Sequence, residues 1–166
     1  MMNTQDNIIE GKENIEKRVI SSIFSIYANE IIEGLYLGSQ RAITVPISEL
    51  LSRNITNILM IGKVKYPRIH ESITYLQIPL DDVDTAPLSD YIQQAVEFIN
   101  SSSGSVLVNC QMGLSRSPSF VIAYLIIQKK MSFDTAFNLV QTKRPSIIPN
   151  EGFVKQLRLL SLSSSN

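Results

Sequence analysis

The stretch "VLVNCQMGLSRSPSFVIAYL", residues 106–125, constrains this chain more than any other. The apolar run Val106-Leu107-Val108 has the length and composition of a strand buried on both faces, and it closes at Cys110, the only cysteine among 166 residues. Gly113, Arg116 and Pro118 follow, and then an apolar segment with helical spacing over residues 116–129. A buried strand that passes directly into a helix belongs to a layered α/β architecture. There, ligands gather outside the carboxyl ends of the strands, and Cys110 stands at one such end.

The remaining segments predict the same architecture. Residues 28–39 read as one or two short strands with a turn at Gly34, and residues 55–62 and 73–80 are two more apolar runs of strand length. Helices are expected over "VPISELLSRN" with Ser48 as cap, after Ser89 as cap, after Ser132 as cap with Asp134 in the first turn, and over "NEGFVKQLRLLSL". The fold class is therefore α/β, in three layers, with a mostly parallel central sheet of about four or five strands between helices. Three parts are expected: an N-terminal segment (1–27), one domain (28–161) and a flexible tail (162–166). In the first, the opening ten or so residues are expected to fray. Residues 12–27 carry Ile15, Val19, Ile23 and Ile26/Tyr27 at spacings of three and four, an amphipathic helix expected to pack back on the domain.

Composition excludes several function classes. Lys+Arg and Asp+Glu both number 15, so no bulk positive field favours nucleic acid or an anionic membrane, and an anion site has to be local. The longest apolar run, "FVIAYLII", falls far short of the ~20 residues of a spanning helix. The start lacks the charged-then-apolar order of a signal peptide. One cysteine and one histidine argue against a zinc site and against an internal disulfide, which suits the cytoplasm or the nucleus. His70, alone in "KYPRIHES", reads as a surface residue. Nothing in the sequence fixes an oligomeric state.

The loop after Cys110 carries the chemistry. In "CQMGLSR" the backbone N–H groups of Gln111, Met112, Gly113, Leu114, Ser115 and Arg116 are able to converge on one concavity, and the following helix adds the positive end of its dipole. Gly113 permits the tight turn, and Pro118 in the first helical turn costs no hydrogen bond. Such a cradle favours the thiolate, which is the nucleophile. Arg116 offers a planar fork for two phosphoryl oxygens, and Ser117 is placed to donate a hydrogen bond to the departing sulfur. The expected reaction is phosphoryl transfer to sulfur followed by hydrolysis, with a phosphate or sulfate ion also able to occupy the loop. The leaving oxygen needs a proton from a carboxyl group, and Asp81, Asp82 and Asp84 all follow the strand that ends at Leu80.

"CQMGLSR" has the C-x5-R form of the protein tyrosine phosphatase superfamily, and "GLSRSPSFVIAYLI" resembles the compact dual specificity phosphatases. The resemblance extends to "EIIEGLYLGS", "YLQIPLDD" and "RPSIIPNEGFVKQL", covering residues 28–160. It implies a metal-free and cofactor-free cysteinyl-phosphate mechanism acting on phosphotyrosine and phosphoserine or phosphothreonine in phosphorylated proteins. Matching "YLQIPLDDVDTAPLSDYI" to the family pattern makes Asp82 the general acid, and Asn150 resembles the asparagine that braces the phosphate loop. One position departs: the family has histidine before the cysteine, and this chain has Asn109. Asparagine carries no charge, so a slower phosphatase or a more alkaline optimum is expected. The alternative is a phosphoprotein-binding pseudophosphatase with negligible turnover.

Two other readings are weaker. "DVDT" at residues 82–85 matches the D-x-D-x-T of magnesium-dependent phosphatases of the haloacid dehalogenase type, but no later lysine and acidic pair follow in order. Phosphoinositide phosphatases carry lysines inside the loop and RNA triphosphatases have more basic surroundings, whereas Gln111, Met112, Leu114 and Ser115 are all uncharged.

Overall fold

Five strands form one sheet: β1 (Ala28–Ile32), β2 (Leu35–Ser39), β3 (Ile55–Ile61), β4 (Thr74–Ile78) and β5 (Ser105–Cys110), in the spatial order β1-β2-β5-β3-β4. A computed structural model describes residues 4–65 and 68–164, with side chains from residue 9 onward. Only β1 and β2 are antiparallel, joined through the tight turn at Gly34; all other pairings are parallel. The mostly parallel sheet and its strand count are those the sequence predicts.

The helices are α1 (Thr4–Tyr27), α2 (Ile47–Ser52), α3 (Ser89–Asn100), α4 (Arg116–Gln128), α5 (Phe133–Lys143) and α6 (Glu151–Ser163), with a short 3-10 turn at Gln40–Ile43. Side chains of a strand alternate between faces, and β5 shows the result. Val106, Val108 and Cys110 join the large core built with α3 to α6, while Leu107 joins a smaller core with Phe24, Leu50 and Ile58. Both faces of β5 are thus covered, which is why its run is apolar without interruption. Helix α4 is apolar on nearly every side because it is enclosed by α3, α5, α6 and the sheet. The register aligns Ser39, Cys110 and Ile61 side by side. One edge therefore collects the ends of β2, β5 and β3, with the loops that leave them.

The structure corrects several expectations. Helix α1 begins at Thr4 instead of fraying over the first ten residues; residues 1–3 lie outside those described. Of the stripe expected to pack on the domain, Ile15 at 63%, Val19 at 53%, Ile23 at 39% and Ile26 at 69% are exposed, and Tyr27 alone is half-buried against the smaller core. At 100° per residue Phe24 lies roughly 180° from Ile15, and it is Phe24 that is buried, edge-on to Tyr36 and beneath the Arg53 guanidinium. Only the last turns of α1 reach the domain, so one large ring there outweighs a longer aliphatic stripe. Ser48 lies inside α2, whose cap position is Pro46. Ser89 is the first residue of α3 and makes no cap; its N–H is instead satisfied by Gln156 Oε1 at 3.0 Å. Ser132 does cap α5, accepting from the Thr135 N–H at 3.2 Å. Helix α6 runs to Ser163, into the segment expected as a tail from residue 162, and residues 165–166 lie outside those described.

This packing predicts an asymmetry in stability. Phe24→Ala should cost about 3–4 kcal/mol, while Ile15→Ser should stay within about 0.5 kcal/mol of the parent. Denaturant unfolding of the two variants measures both.

Candidate active site

Cys110 is the last residue of β5, and the loop to α4 folds over its sulfur. The Gly113 N–H donates to Sγ at 3.2 Å. Gly113 has φ +70°, and a Cβ there would stand 2.7 Å from the Gly38 carbonyl carbon. A larger residue would lift the loop off β2 and carry its N–H away from the sulfur. From the first turn of α4, Ser117 Oγ lies 3.1 Å from Sγ and 3.2 Å from the Gly38 carbonyl oxygen. One hydroxyl proton serves one acceptor at a time, so the sulfur and the carbonyl compete for it. The result is a sulfur that is buried yet surrounded by donors.

The start of α4 is built to leave its N–H groups unused. Ser115 holds the cap position, where a serine ordinarily accepts from the second or third N–H of the helix. Here it makes no cap bond. Its hydroxyl donates to Asp82 Oδ1 at 2.6 Å and accepts from the Asn150 N–H at 3.1 Å. The orphan N–H groups of a helix start, with the dipole behind them, attract an anion. Arg116 turns from the same start toward the strand edge, its Nη1 3.4 Å from the Leu80 carbonyl oxygen. Gly62, at φ +142°, leaves room for it: a Cβ there would come within 3.0 Å of Nη1. Arg116 Nε is buried and has no hydrogen-bond partner among the described residues, with the carboxylate oxygen Asp82 Oδ2 3.7 Å away. A buried guanidinium N–H without an acceptor is costly, and a phosphoryl oxygen is the kind of group that would satisfy it.

The three candidate carboxylates separate cleanly. Asp81 is exposed and paired with Lys63. Asp84 faces the start of α6, its Oδ1 3.5 Å from the Gly152 N–H. Asp82 alone reaches the loop. Its Oδ1 accepts from Ser115 and from Asn150 Nδ2 at 2.9 Å, which leaves Oδ2 on the Arg116 side. Asn150 also caps α6, its Oδ1 accepting from the Phe153 N–H at 2.9 Å. One asparagine thus ties α6, the loop that carries Asp82 and the loop after Cys110 together.

Of the remaining predicted residues, Gln111 and Met112 stand exposed at the loop mouth, and Leu114 is half-buried with its carbonyl accepting from Ile148. Asn109 is separate. Strand alternation turns it to the Leu107 face, away from the sulfur, and there it is 1% exposed, with neither amide atom hydrogen-bonded among the described residues. His70 is half-buried and bonded to Ser72 Oγ at 2.6 Å.

Sequence reasoning missed Arg144. It follows α5 and is buried, with Nε donating to the Gly113 carbonyl at 3.1 Å and Nη1 to Asn29 Oδ1 at 2.7 Å. Burial lowers its pKa below the usual arginine value, and the Cys110 charge opposes that shift. A basic residue at a helix end reads as a dipole partner, and this hides a cation that braces the loop from behind.

A strand-end thiol, an anion-binding helix start, an arginine fork and a tethered carboxylate define the class of cysteine-dependent phosphatases. A family model for the dual specificity phosphatase catalytic domain matches residues 35–161, and the chain belongs to that family. MAP kinase phosphatase with leucine-rich repeats protein 1 of Dictyostelium discoideum is 37% identical over 136 residues, 81% of this chain and 16% of that protein. Dual specificity protein phosphatase 1 of Arabidopsis thaliana is 37% identical over 136 residues, covering 80% of this chain and 68% of that one. The chain spans about a fifth of the length of the Dictyostelium relatives. Among solved structures, that of DUSP15 superposes with a TM-score of 0.78 at 29% identity, covering 84% of this chain and 90% of that chain.

The unpaired Asn109 amide makes a stability prediction. Asn109→Leu, of similar shape, should raise unfolding free energy by about 1–2 kcal/mol, since it removes a buried polar group that has no partner. Thermal or denaturant unfolding tests it.

Proposed function

We propose that this chain is a protein phosphatase that hydrolyses phosphotyrosine and phosphoserine or phosphothreonine through a cysteinyl-phosphate intermediate. The observation that carries this reading is the Cys110 sulfur receiving the Gly113 N–H at 3.2 Å and lying 3.1 Å from Ser117 Oγ, beside an Arg116 Nε that lacks an acceptor. In the first step Sγ attacks phosphorus, a P–S bond forms, and the P–O bond to the substrate side chain breaks. Asp82 passes its proton to the departing oxygen. The loop N–H groups and the Arg116 fork hold the three equatorial oxygens and gain strength as charge spreads in the transition state.

In the second step the Asp82 carboxylate accepts a proton from water as that water attacks phosphorus. The P–S bond breaks, phosphate leaves, and Ser117 turns its hydroxyl from the Gly38 carbonyl to the sulfur that regains its charge. Ser115 and Asn150 hold Oδ1 of Asp82 in both steps, so the travelling proton resides on Oδ2. Inorganic phosphate or sulfate would occupy the same cradle as an inhibitor. A thiol nucleophile is preserved in the reducing cytoplasm or nucleus, and no described helix is long and apolar enough to cross a membrane.

The test is hydrolysis of p-nitrophenyl phosphate and of phosphopeptides. Cys110→Ser should abolish turnover of both. Asp82→Asn should lower kcat by about 10²–10⁴-fold with the peptides, and less with p-nitrophenolate, a leaving group that needs little protonation. Wild type inactive toward every substrate, yet binding phosphopeptides, would replace the enzyme with a binding domain. Asn109→His should raise kcat near neutral pH, and an unchanged rate would remove Asn109 as a cause of slow turnover.

A further inference from the structure

Residues 79–88 lead from β4 to α3 without helix or strand, and Asp82 lies among them. Every side chain from residue 81 to residue 85 is exposed, while Leu80, Ala86 and Leu88 on either side are buried. The depth of Asp82 is therefore set by polar contacts and by what its backbone rests on, not by packed side chains. That support is one face of α6. Asn150 Nδ2 donates to Asp82 Oδ1 at 2.9 Å, and the Gly152 N–H meets Asp84 Oδ1 at 3.5 Å. Further along, Gln156 Nε2 donates to the Ala86 carbonyl at 3.0 Å, and its Oε1 accepts from the Ser89 N–H at 3.0 Å. Above this face the chain closes a tight turn, the Ala86 N–H donating to the Val83 carbonyl at 3.0 Å. The closest approach is at Gly152, which is buried. A Cβ there would overlap the Asp84 carbonyl oxygen and stand 2.6 Å from Asp84 Cα. Gly152 is not among the residues with positive φ, so the position needs glycine for space and not for conformation.

We propose that Gly152 and Gln156 are positioning residues for proton transfer by Asp82. The proposal rests on the phosphatase reading above and deepens it: α6 sets how far Oδ2 of Asp82 reaches over the loop after Cys110. Asp82 and Asp84 are two residues apart, so lifting Asp84 off α6 by the width of a methyl group moves Asp82 with it. The Oδ1 contacts to Ser115 and Asn150 measure 2.6 and 2.9 Å, and a displacement of about 1 Å takes both beyond hydrogen-bond length. Proton transfer requires the carboxyl within about 2.6–3.2 Å of the leaving oxygen. A shift of that size removes the acid and leaves the Cys110 sulfur, Gly113 and Arg116 where they are. Gln156 acts at the other end of the turn. Its one amide donates to Ala86 and accepts from Ser89, a pair of contacts that neither a thioether nor a carboxylate of similar length can make together. It pins the exit of the segment to the same helix that sets its depth.

The experiment measures kcat for a phosphotyrosine peptide and for p-nitrophenyl phosphate with wild type, Gly152→Ala and Gln156→Met, each with and without Asp82→Asn. Gly152→Ala should lower peptide turnover by about 10–10²-fold, the scale of a misplacement of about 1 Å. With p-nitrophenyl phosphate the loss should be no more than about twofold, since that leaving group needs little protonation. Gln156→Met should show the same selectivity, with a loss of about threefold or more on the peptide. In the Asp82→Asn background both substitutions should leave peptide turnover within about twofold, because a residue that acts through Asp82 has nothing left to act on. Equal losses on the two substrates, or a loss that persists with Asp82→Asn, overturns the proposal, as does an unchanged peptide rate in either folded variant. Should thermal unfolding show that Gly152→Ala does not fold, Gln156→Met carries the same comparison alone. If wild type turns over no peptide, the phosphatase reading fails by itself. The Asn150 side-chain amide resonances then decide the positioning separately. In the two variants they should move toward their place in Asp82→Ala, and resonances that stay at the wild-type place overturn it.

Discussion

The Gly113 N–H directed at the Cys110 sulfur is the contact from which the rest of the site follows. It requires a left-handed backbone at Gly113, close approach to Gly38, and a loop that curls back over the end of β5. Register supplies the platform, because β2 and β5 end level at Ser39 and Cys110. Arg144 supplies the brace, gripping the carbonyl of the same glycine whose N–H meets the sulfur. The contact persists only if the loop cannot relax away from the sulfur. The buried packing of α4 against the sheet makes that relaxation expensive.

The second economy of the fold is at Ser115. A serine at the cap position that makes no cap bond leaves the helix start open and turns its hydroxyl to the Asp82 carboxylate. The Asp82 loop and the loop after Cys110 are thereby joined through one oxygen, with Asn150 closing the triangle. In the proposed mechanism, substrate recognition and proton transfer share a single unit. This is what a reaction needs when reacting atoms have to be held within a fraction of an ångström.

The sheet, the helix order and the strand-end loop were legible because each is written locally. Apolar runs of strand length, a glycine inside C-x5-R, and the helical spacing after Arg116 all lie within a few residues of one another. What escaped depends on contacts distant in sequence. The residues alone leave Asp81, Asp82 and Asp84 open, and only the family resemblance names Asp82; the contacts that set it apart, with Ser115 and Asn150, are not written in the local sequence. Arg144 finds its acceptors at Gly113 and Asn29, which no spacing rule connects. Helix α1 carries two faces that compete for the domain, and the stripe of Ile15, Val19 and Ile26 is longer than the patch around Phe24. Which face wins depends on how much of the helix the domain reaches, a quantity its own periodicity does not contain. Asn109 was legible as a departure from a family pattern, but its lack of partners depends on neighbouring strands.

The central claim is that the Cys110 sulfur itself receives the phosphoryl group. Rapid acid quenching of wild type during turnover of p-nitrophenyl phosphate, followed by peptide mass spectrometry, tests it directly. The account predicts a phosphoryl adduct on the peptide containing Cys110, formed before free phosphate accumulates. Turnover without any such adduct, or with the phosphoryl group on a different residue, would contradict it.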